Sequence, residues 1–320
     1  MPSPLSIPNR FIVSNQDHLW SRAIKAKGAK LGFDLVGIAK AEQLQQEARD
    51  LEQWLSEGRH GRMQWMENHF EKRIDPRRLV DGAQSVISVI HNYYPTQHQP
   101  PGAPKVSRYV YGEDYHKVLK RKLYELFRYI HELVGEEVAG RVFVDSAPVM
   151  DKAWAKRSGL GWIGKHTNLI TPQRGSYFFI GEIILALPLA YDQGPIKDYC
   201  GTCTRCLDAC PTDALTSYQI DASKCISYLT IELREEMPAD FQDKLAGWAY
   251  GCDICQEVCP WNRFSTPERG DFAPLQHVQF SAEEWEEIDE RTFKKLARKT
   301  AMNRVKWQKM KDNLRVFFER

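Results

Sequence analysis

The spacing of the cysteines constrains this chain more than any other feature. There are eight, and all lie from residue 200 onward. They run Cys200-x2-Cys203-x2-Cys206-x3-Cys210-Pro211, then Cys225, then Cys252-x2-Cys255-x3-Cys259-Pro260. Three chemistries use cysteines in number. Disulfides belong to oxidising compartments, and the opening "MPSPLSIPNRF" lacks the apolar core of a secretory signal, so reduced thiols are expected. Paired structural zinc sites also use C-x2-C, but they do not call for a tripled spacing closed by Cys-Pro. A [4Fe–4S] pair does, since in C-x2-C-x2-C-x3-C-P the fourth cysteine serves the other cluster. Two four-iron cubes need eight thiolates, and the chain offers eight.

On that bacterial-ferredoxin-like crossing, Cys200, Cys203, Cys206 and Cys259 hold one cluster. Cys210, Cys225, Cys252 and Cys255 hold the other. The expected cluster module spans residues 195–265. A one-electron relay inside a larger chain feeds another centre, so residues 1–194 are expected to bind a substrate, a second cofactor or both.

Length and composition agree with a globular protein of about two domains: 320 residues, 27% charged and 42% hydrophobic. The net charge of +2 names no partner, but its distribution is uneven. Residues 281–290 carry six acids and no base, while residues 291–320 carry eleven Lys or Arg against Asp312 and Glu319, a net +9. A basic helical tail over 266–320 is either a solvated face or a surface for a phosphate backbone. The longest apolar run, "YFFIGEIILALPLAY" (177–191), is too short for a bilayer and carries Glu182, so it reads as buried strand; no membrane partner and a cytoplasmic location are expected.

"GLGWIGKH" (159–166) nearly matches two phosphate-binding loops. Both need a strand before and a helix after, so that backbone N–H groups meet the phosphates. Here "PVMDKAWAKRS" before it reads as helix and "TNLITP" after it as strand, which makes Gly159 a helix stop. Elsewhere helical stretches (15–32, capped by Asn15 or Asp17; 42–58; 114–136) alternate with strands (34–41, 85–95, 140–146) around a Pro/Gly loop at 97–105. The mixed order, ending in adjacent strands, predicts an α+β fold.

Taken with "VDSAPVMDKAWAKRSGLGWIGKHTNLITP", "EKRIDP", "SRYVYGEDYHKVL", "CISYLTIE" and "YGCDICQEVCPWN", the cysteine pattern resembles the epoxyqueuosine reductase family over about residues 10–265. The resemblance implies a nitroreductase-like domain that binds cobalamin base-off, two [4Fe–4S] clusters, and a tRNA substrate. The reaction implied is removal of the epoxide oxygen of epoxyqueuosine at the wobble position, with an unidentified electron donor and a monomeric enzyme. Composition and spacing by themselves leave open a corrinoid dehalogenase, though no twin-arginine leader is present, or a ferredoxin-like carrier, which would leave the first 190 or so residues unemployed. The histidine-ligated corrin signature D-x-H-x-x-G is half met by Asp114-Tyr115-His116, with Leu119 in the glycine position. Many family members continue into a helical-repeat tail that grips tRNA, whereas this chain stops at Arg320; either the basic helix does that work or binding is weaker.

By the same resemblance Asp145 is the catalytic acid and touches the corrin, Arg73 lies beside the corrin, and Leu169, Ile170 and Thr171 line its face. "GLGWIGK" becomes the loop beneath the corrin-binding strands. Each has a plainer role. Asp145 could cap the next helix, Arg73 could pair with Glu71 or Asp75, and the three strand residues could be core. Tyr115 and His116 are weaker candidates, since a helix starting there needs Asp114 as its cap anyway. To donate a proton near neutrality, Asp145 must be strongly desolvated, because a free aspartate has a pKa of about 3.9.

Overall fold

The computed structural model describes residues 14–319; the opening segment weighed above as a secretory signal lies outside them. In chain order the first half comprises α1 (Asn15–Lys30), β1 (Leu35–Lys40), α2 (Gln45–Ser56), α3 (Phe70–Ile74), β2 (Ser85–Asn92), β3 (Lys105–Val106), α4 (Tyr115–Val134), β4 (Gly140–Phe143), α5 (Asp151–Arg157), β5 (Trp162–Ile163), β6 (Leu169–Ile170) and β7 (Phe178–Leu185). The cysteine-bearing half adds α6 (Arg205–Asp208), β8 (Leu215–Thr216), β9 (Gln219–Ile220), α7 (Ile226–Ile231), α8 (Ala239–Gln242), β10 (Trp248–Tyr250) and α9 (Ile254–Glu257). Three helices follow: α10 (Ala282–Glu286), α11 (Glu290–Ala297) and α12 (Trp307–Phe318).

β1, β2, β7 and β4 form one antiparallel sheet in that order. Both faces are covered, which is why all of β2 is buried and why its sequence is nearly continuous in apolar and small residues. Ile87 and Val89 pack with Ile24 of α1 and Leu119, Leu123 and Leu126 of α4, whereas Val86 points the other way onto Ala153 and Trp154 of α5. β7 alternates likewise, Ile183 and Leu185 toward α1 and α4, Ile184 toward α5. Glu182 therefore lies on the α5 face, opposite Ser88 of β2 and Phe143 of β4.

Local signals explain most boundaries. α4 starts on Asp114, whose carboxylate accepts from the His116 N–H at 3.1 Å, and stops at Gly135 with φ of 85°. α1 is capped by Ser14 rather than Asn15 or Asp17: Ser14 accepts from the Asp17 N–H while the Asp17 carboxylate accepts from the Ser14 N–H. Asn15 is already helical, so it cannot take the extended cap conformation. β4 ends at Phe143, two residues before Asp145, whose φ of 54° leaves the extended region.

The glycines of 159–164 serve a hairpin. Gly159, at φ of 73°, follows the end of α5, and β5 then pairs antiparallel with β6. A Cβ at Gly161 would lie 2.2 Å from the Ile170 carbonyl, so the close approach here is between two strands of the protein itself. No helix leaves this loop, and a phosphate cradle does not form.

β10 pairs in parallel with β3 and so ties the cysteine-bearing half to the segment before α4. The last three helices are packed, not trailing. Trp285, Phe293, Met302 and Met310 join Val106, Val110 and Tyr250 in one buried cluster. Among the described residues no helix is long and apolar enough to cross a membrane. Trp285 is fully buried, so Trp285→Ala is expected to cost about 3–5 kcal/mol, read as a lower urea midpoint. An unchanged midpoint would show that this layer is not part of the cooperative core.

Candidate active site

A cleft of about 890 Å³ opens between α3, the start of α4, the loop after β4 and the start of α7. Arg73, Tyr115, His116, Asp145, Cys225 and Arg304 all line it. Asp145 holds a left-handed backbone, uncommon for a residue with a side chain and kept where the surroundings over-determine it. Its Oδ2 accepts a hydrogen bond from the Tyr115 hydroxyl at 2.7 Å and lies 3.2 Å from His116 Nε2. His116 Nδ1 lies 2.7 Å from Asp114 Oδ1, so the imidazole bridges two carboxylates. The Tyr115 ring is held between Phe179 (4.2 Å, interplanar 5°) and the His116 ring (4.0 Å, 28°). The Asp145 side chain is 61% exposed to the cleft, so a bound molecule can reach a carboxylate that the protein otherwise encircles.

These contacts reverse the expected charge state of Asp145. Burial works to raise its pKa, but the hydrogen bonds from His116 and Tyr115 and the nearby charges of His116 and Arg304 outweigh it and hold the carboxyl below the ordinary value. Burial would lower His116, yet hydrogen bonds to Asp114 and Asp145 and their charges push it up to about 9. At neutral pH the exchangeable proton thus sits on the imidazole, with Asp145 ionised beside it. Because folding raises the His116 pKa, the stability it contributes is present in full below the ordinary histidine value and is lost as the pH climbs through about 9. The capping role for Asp145 is not taken up: α5 begins six residues later, after Met150, with no side-chain cap.

Arg73 is buried at 8% and turns from the acids near it in sequence, since Glu71 pairs with Arg78 and Asp75 with Arg77. It donates to the Trp65 carbonyl at 2.9 Å, and its Nε is buried without a partner. Trp65 is half exposed at the rim, with the guanidinium carbons of Arg73 and Arg304 each 5.8 Å from its ring centre. Leu169, Ile170 and Thr171 are buried and do not line this cleft; Ile170 instead borders a smaller cavity with Cys200, Cys203, Cys206 and Cys259.

None of the eight cysteines forms a disulfide. Burial raises Cys206, pushed up to about 11, with further repulsion from Cys259, Cys200 and Cys203. Burial raises Cys252, with repulsion from Cys225, Asp253 and Cys210, and Cys255 with repulsion from Cys252, Cys225, Asp253 and Cys206. Two neighbourhoods of thiols result, the second bordering the cleft through Cys225. Among the described residues no three His, Cys, Asp or Glu side chains converge on the point a single metal ion would occupy. The thiolates of a four-iron cube sit at its corners and so lie farther apart. Sequence reasoning passed over Asp151, Lys152 and Glu182, all electrostatically coupled to Asp145. Glu182 carried a signal, an acid inside an apolar strand, but served above merely to exclude a membrane span.

An α+β sheet protein with a double-cluster module is an iron–sulfur oxidoreductase. A model described as 4Fe-4S double cluster binding domain matches residues 199–262, and one described as epoxyqueuosine reductase QueG, DUF1730, matches residues 73–146. The epoxyqueuosine reductase of Leadbetterella byssophila is 53% identical over 296 residues, covering 92% of this chain and 97% of its own. The crystal structure of an epoxyqueuosine reductase with a tRNA-Tyr epoxyqueuosine-modified stem loop has a TM-score of 0.82 at 29% identity, covering 93% of this chain and 80% of that one. The Bacillus subtilis epoxyqueuosine reductase, solved with its aspartate catalytic loop swung out of the active site, has a TM-score of 0.79 at 29% identity, covering 93% and 80%. The chain belongs to the epoxyqueuosine reductase family.

The charge assignment is open to direct measurement. Asp145→Asn removes one of the two carboxylates on His116, so the histidine titration followed by NMR is expected to move down from about 9. A midpoint that stays there would mean that Asp114 alone holds the imidazolium.

Proposed function

We propose that this chain reduces the epoxide of epoxyqueuosine at the wobble position of tRNA to give queuosine. The observation that carries the reading is that one cleft is bordered by both Cys225 and Asp145, so electrons and a proton source meet in one space. The reaction consumes two electrons and two protons, breaks both epoxide C–O bonds, leaves an alkene and releases water. In this reading Cys200, Cys203, Cys206 and Cys259 hold an outer cluster and Cys210, Cys225, Cys252 and Cys255 an inner one.

The cleft suits a base-off corrin. It is large, it mixes aromatic walls with cations, and the buried Nε of Arg73 has no protein partner. Both ring nitrogens of His116 are taken by carboxylates, so the imidazole would serve as a proton carrier rather than as a metal ligand. When bound, the two clusters supply single electrons and the corrin a strongly reducing, nucleophilic metal centre. Arg73 would hold its amide or phosphate groups.

The protein's own part is proton delivery. The His116 Nε2 proton, shared with Asp145 Oδ2, is handed to the epoxide oxygen as a C–O bond breaks. Tyr115, stacked on Phe179, fixes the carboxylate through which that proton passes. Asp145 sits on a loop between β4 and α5, and the Bacillus subtilis relative carries its catalytic aspartate on a loop that moves.

We read residues 1–194 as a nitroreductase-like cobalamin-binding domain, 195–265 as the two-cluster module and 266–320 as a segment that contacts tRNA. Arg291, Lys294, Lys295, Arg298 and Lys299 share one surface hollow with Asp289 and Glu290, and the excess of bases over acids supports a phosphate-backbone contact. The reading includes a monomer in the cytoplasm served by a separate one-electron donor.

The test is incubation of the cluster-loaded protein with cobalamin, a strong reductant and tRNA bearing epoxyqueuosine, followed by mass spectrometry of the nucleosides. Loss of one oxygen from the modified base is expected. Asp145→Asn is expected to keep clusters and corrin but lose on the order of 10²–10⁴-fold in rate. No conversion by the fully loaded wild type, or full activity in that variant, contradicts the reading.

A further inference from the structure

Glu182 is completely buried in the middle of the central sheet, on the face covered by α5. Neither carboxyl oxygen has a hydrogen-bond partner. Its neighbour Ser88 is engaged by Ser158, whose hydroxyl donates to it at 3.4 Å. The group that faces Glu182 is the carboxyl of Asp151, the first residue of α5, and the Oδ1 of Asp151 is likewise buried without a partner. Two ionised carboxylates are acceptors alone and repel; one proton between them replaces repulsion with a hydrogen bond. The other titratable groups that face the pair are Asp145, Lys152, Arg73 and Tyr115. Lys152 is directed to the Thr167 carbonyl at 2.8 Å, and Arg73 to the Trp65 carbonyl at 2.9 Å, so neither cation hydrogen-bonds the pair.

The geometry points to a role that the reaction leaves unfilled. Epoxide reduction needs two protons, and the His116–Asp145 pair carries one. We propose that Glu182 and Asp151 share a single proton and form an internal reserve that supplies the second to the Asp145 site. Asp151, partly exposed and in charge contact with the cleft residues Asp145, Arg73 and Tyr115, is the member that passes the proton on, while Glu182 holds it in the sheet. The first proton converts the epoxide oxygen to a hydroxyl as one C–O bond breaks. The second lets that hydroxyl leave as water when the alkene forms, the two electrons coming from the external donor. This inference rests on the reading of the His116–Asp145 pair as the proton donor of epoxide reduction. Burial explains why the proton stays: it raises Glu182 well above an ordinary carboxyl and Asp151 to about 6.

The test begins with the infrared spectrum of the protein without substrate. Wild type minus Glu182→Gln is expected to show a protonated-carboxyl C=O stretch at pH 7 to 8 that shifts in D₂O. Asp151→Asn, which changes the partner of Glu182 but not its burial, is expected to shift the same band, which guards against one variant failing to fold. The glutamine variant should melt no lower than wild type, since its amide donates to Asp151 in place of the shared proton. In single turnover with modified tRNA, both variants are expected to bind substrate normally but lose on the order of ten- to a hundredfold in rate, more at high pH. Absence of the band in wild type, or turnover of both variants at the wild-type rate across pH, overturns the proposal. A wild type that shows the band yet leaves epoxyqueuosine tRNA unchanged overturns the functional reading instead, so the two failures are distinguishable.

Discussion

One buried ion pair holds the loop of Cys252 and Cys255 to the segment that leads into α4. Asp253 lies between Cys252 and Cys255 and is 1% exposed. It accepts from the Ser107 hydroxyl and, at 2.8 Å, from the Arg108 backbone N–H, with the Arg108 guanidinium 3.5 Å away. The same guanidinium reaches Glu257 at 2.8 Å and the Tyr177 hydroxyl at 2.9 Å. A charge this deeply placed is tolerable while it is paired, and removing one partner strands the other. The loop carrying two thiols is therefore locked to residues 107–108, a few residues before α4 begins. α4 in turn opens with Tyr115 and His116. A single short stretch, residues 107–116, thus sets both the position of the inner thiols and the geometry around Asp145.

That arrangement explains the division of labour in the cleft. The side bordered by Cys225 is built from loops and short helices, which cysteine-bound clusters can organise. The side bordered by Asp145 is built on a sheet buried on both faces and on the long helix α4. Positioning an acid to within hydrogen-bond reach calls for the rigid partner, and the stack of Phe179, Tyr115 and His116 supplies it. The carboxylate cost of the design appears one layer deeper, where Glu182 and the Oδ1 of Asp151 receive no hydrogen bond from the rest of the protein.

Local rules made much of this legible. The cysteine spacing, the Asp114 cap, the glycine stop after α5 and the buried strand at 178–185 are short-range signals that tertiary context did not override. Family resemblance singled out Asp145 and Arg73, and the fold brings both to one cleft. What stayed hidden depends on contacts across the chain. The charge of Asp145 is set by residues 29 and 30 positions earlier, so surrounding apolar sequence suggested a raised pKa where two donors lower it. Leu169 and Ile170, expected from the resemblance to line a cofactor, pair with β5, and Thr171 bridges to Gly175; all three are buried and lie outside the cleft that holds Asp145. The capping box of α1 was missed by one residue because Ser14 precedes the first helical position.

In the proposed function the proton for the reaction rests on His116 beside an ionised Asp145. The pH dependence of a single turnover, measured with pre-reduced, fully loaded enzyme and saturating modified tRNA, tests it most directly. Since the folded-state pKa of His116 is raised to about 9, the rate should hold level through neutrality and fall as the pH rises through that value. A rate that falls instead through the ordinary carboxyl or histidine range, or that climbs above pH 9, would contradict the account.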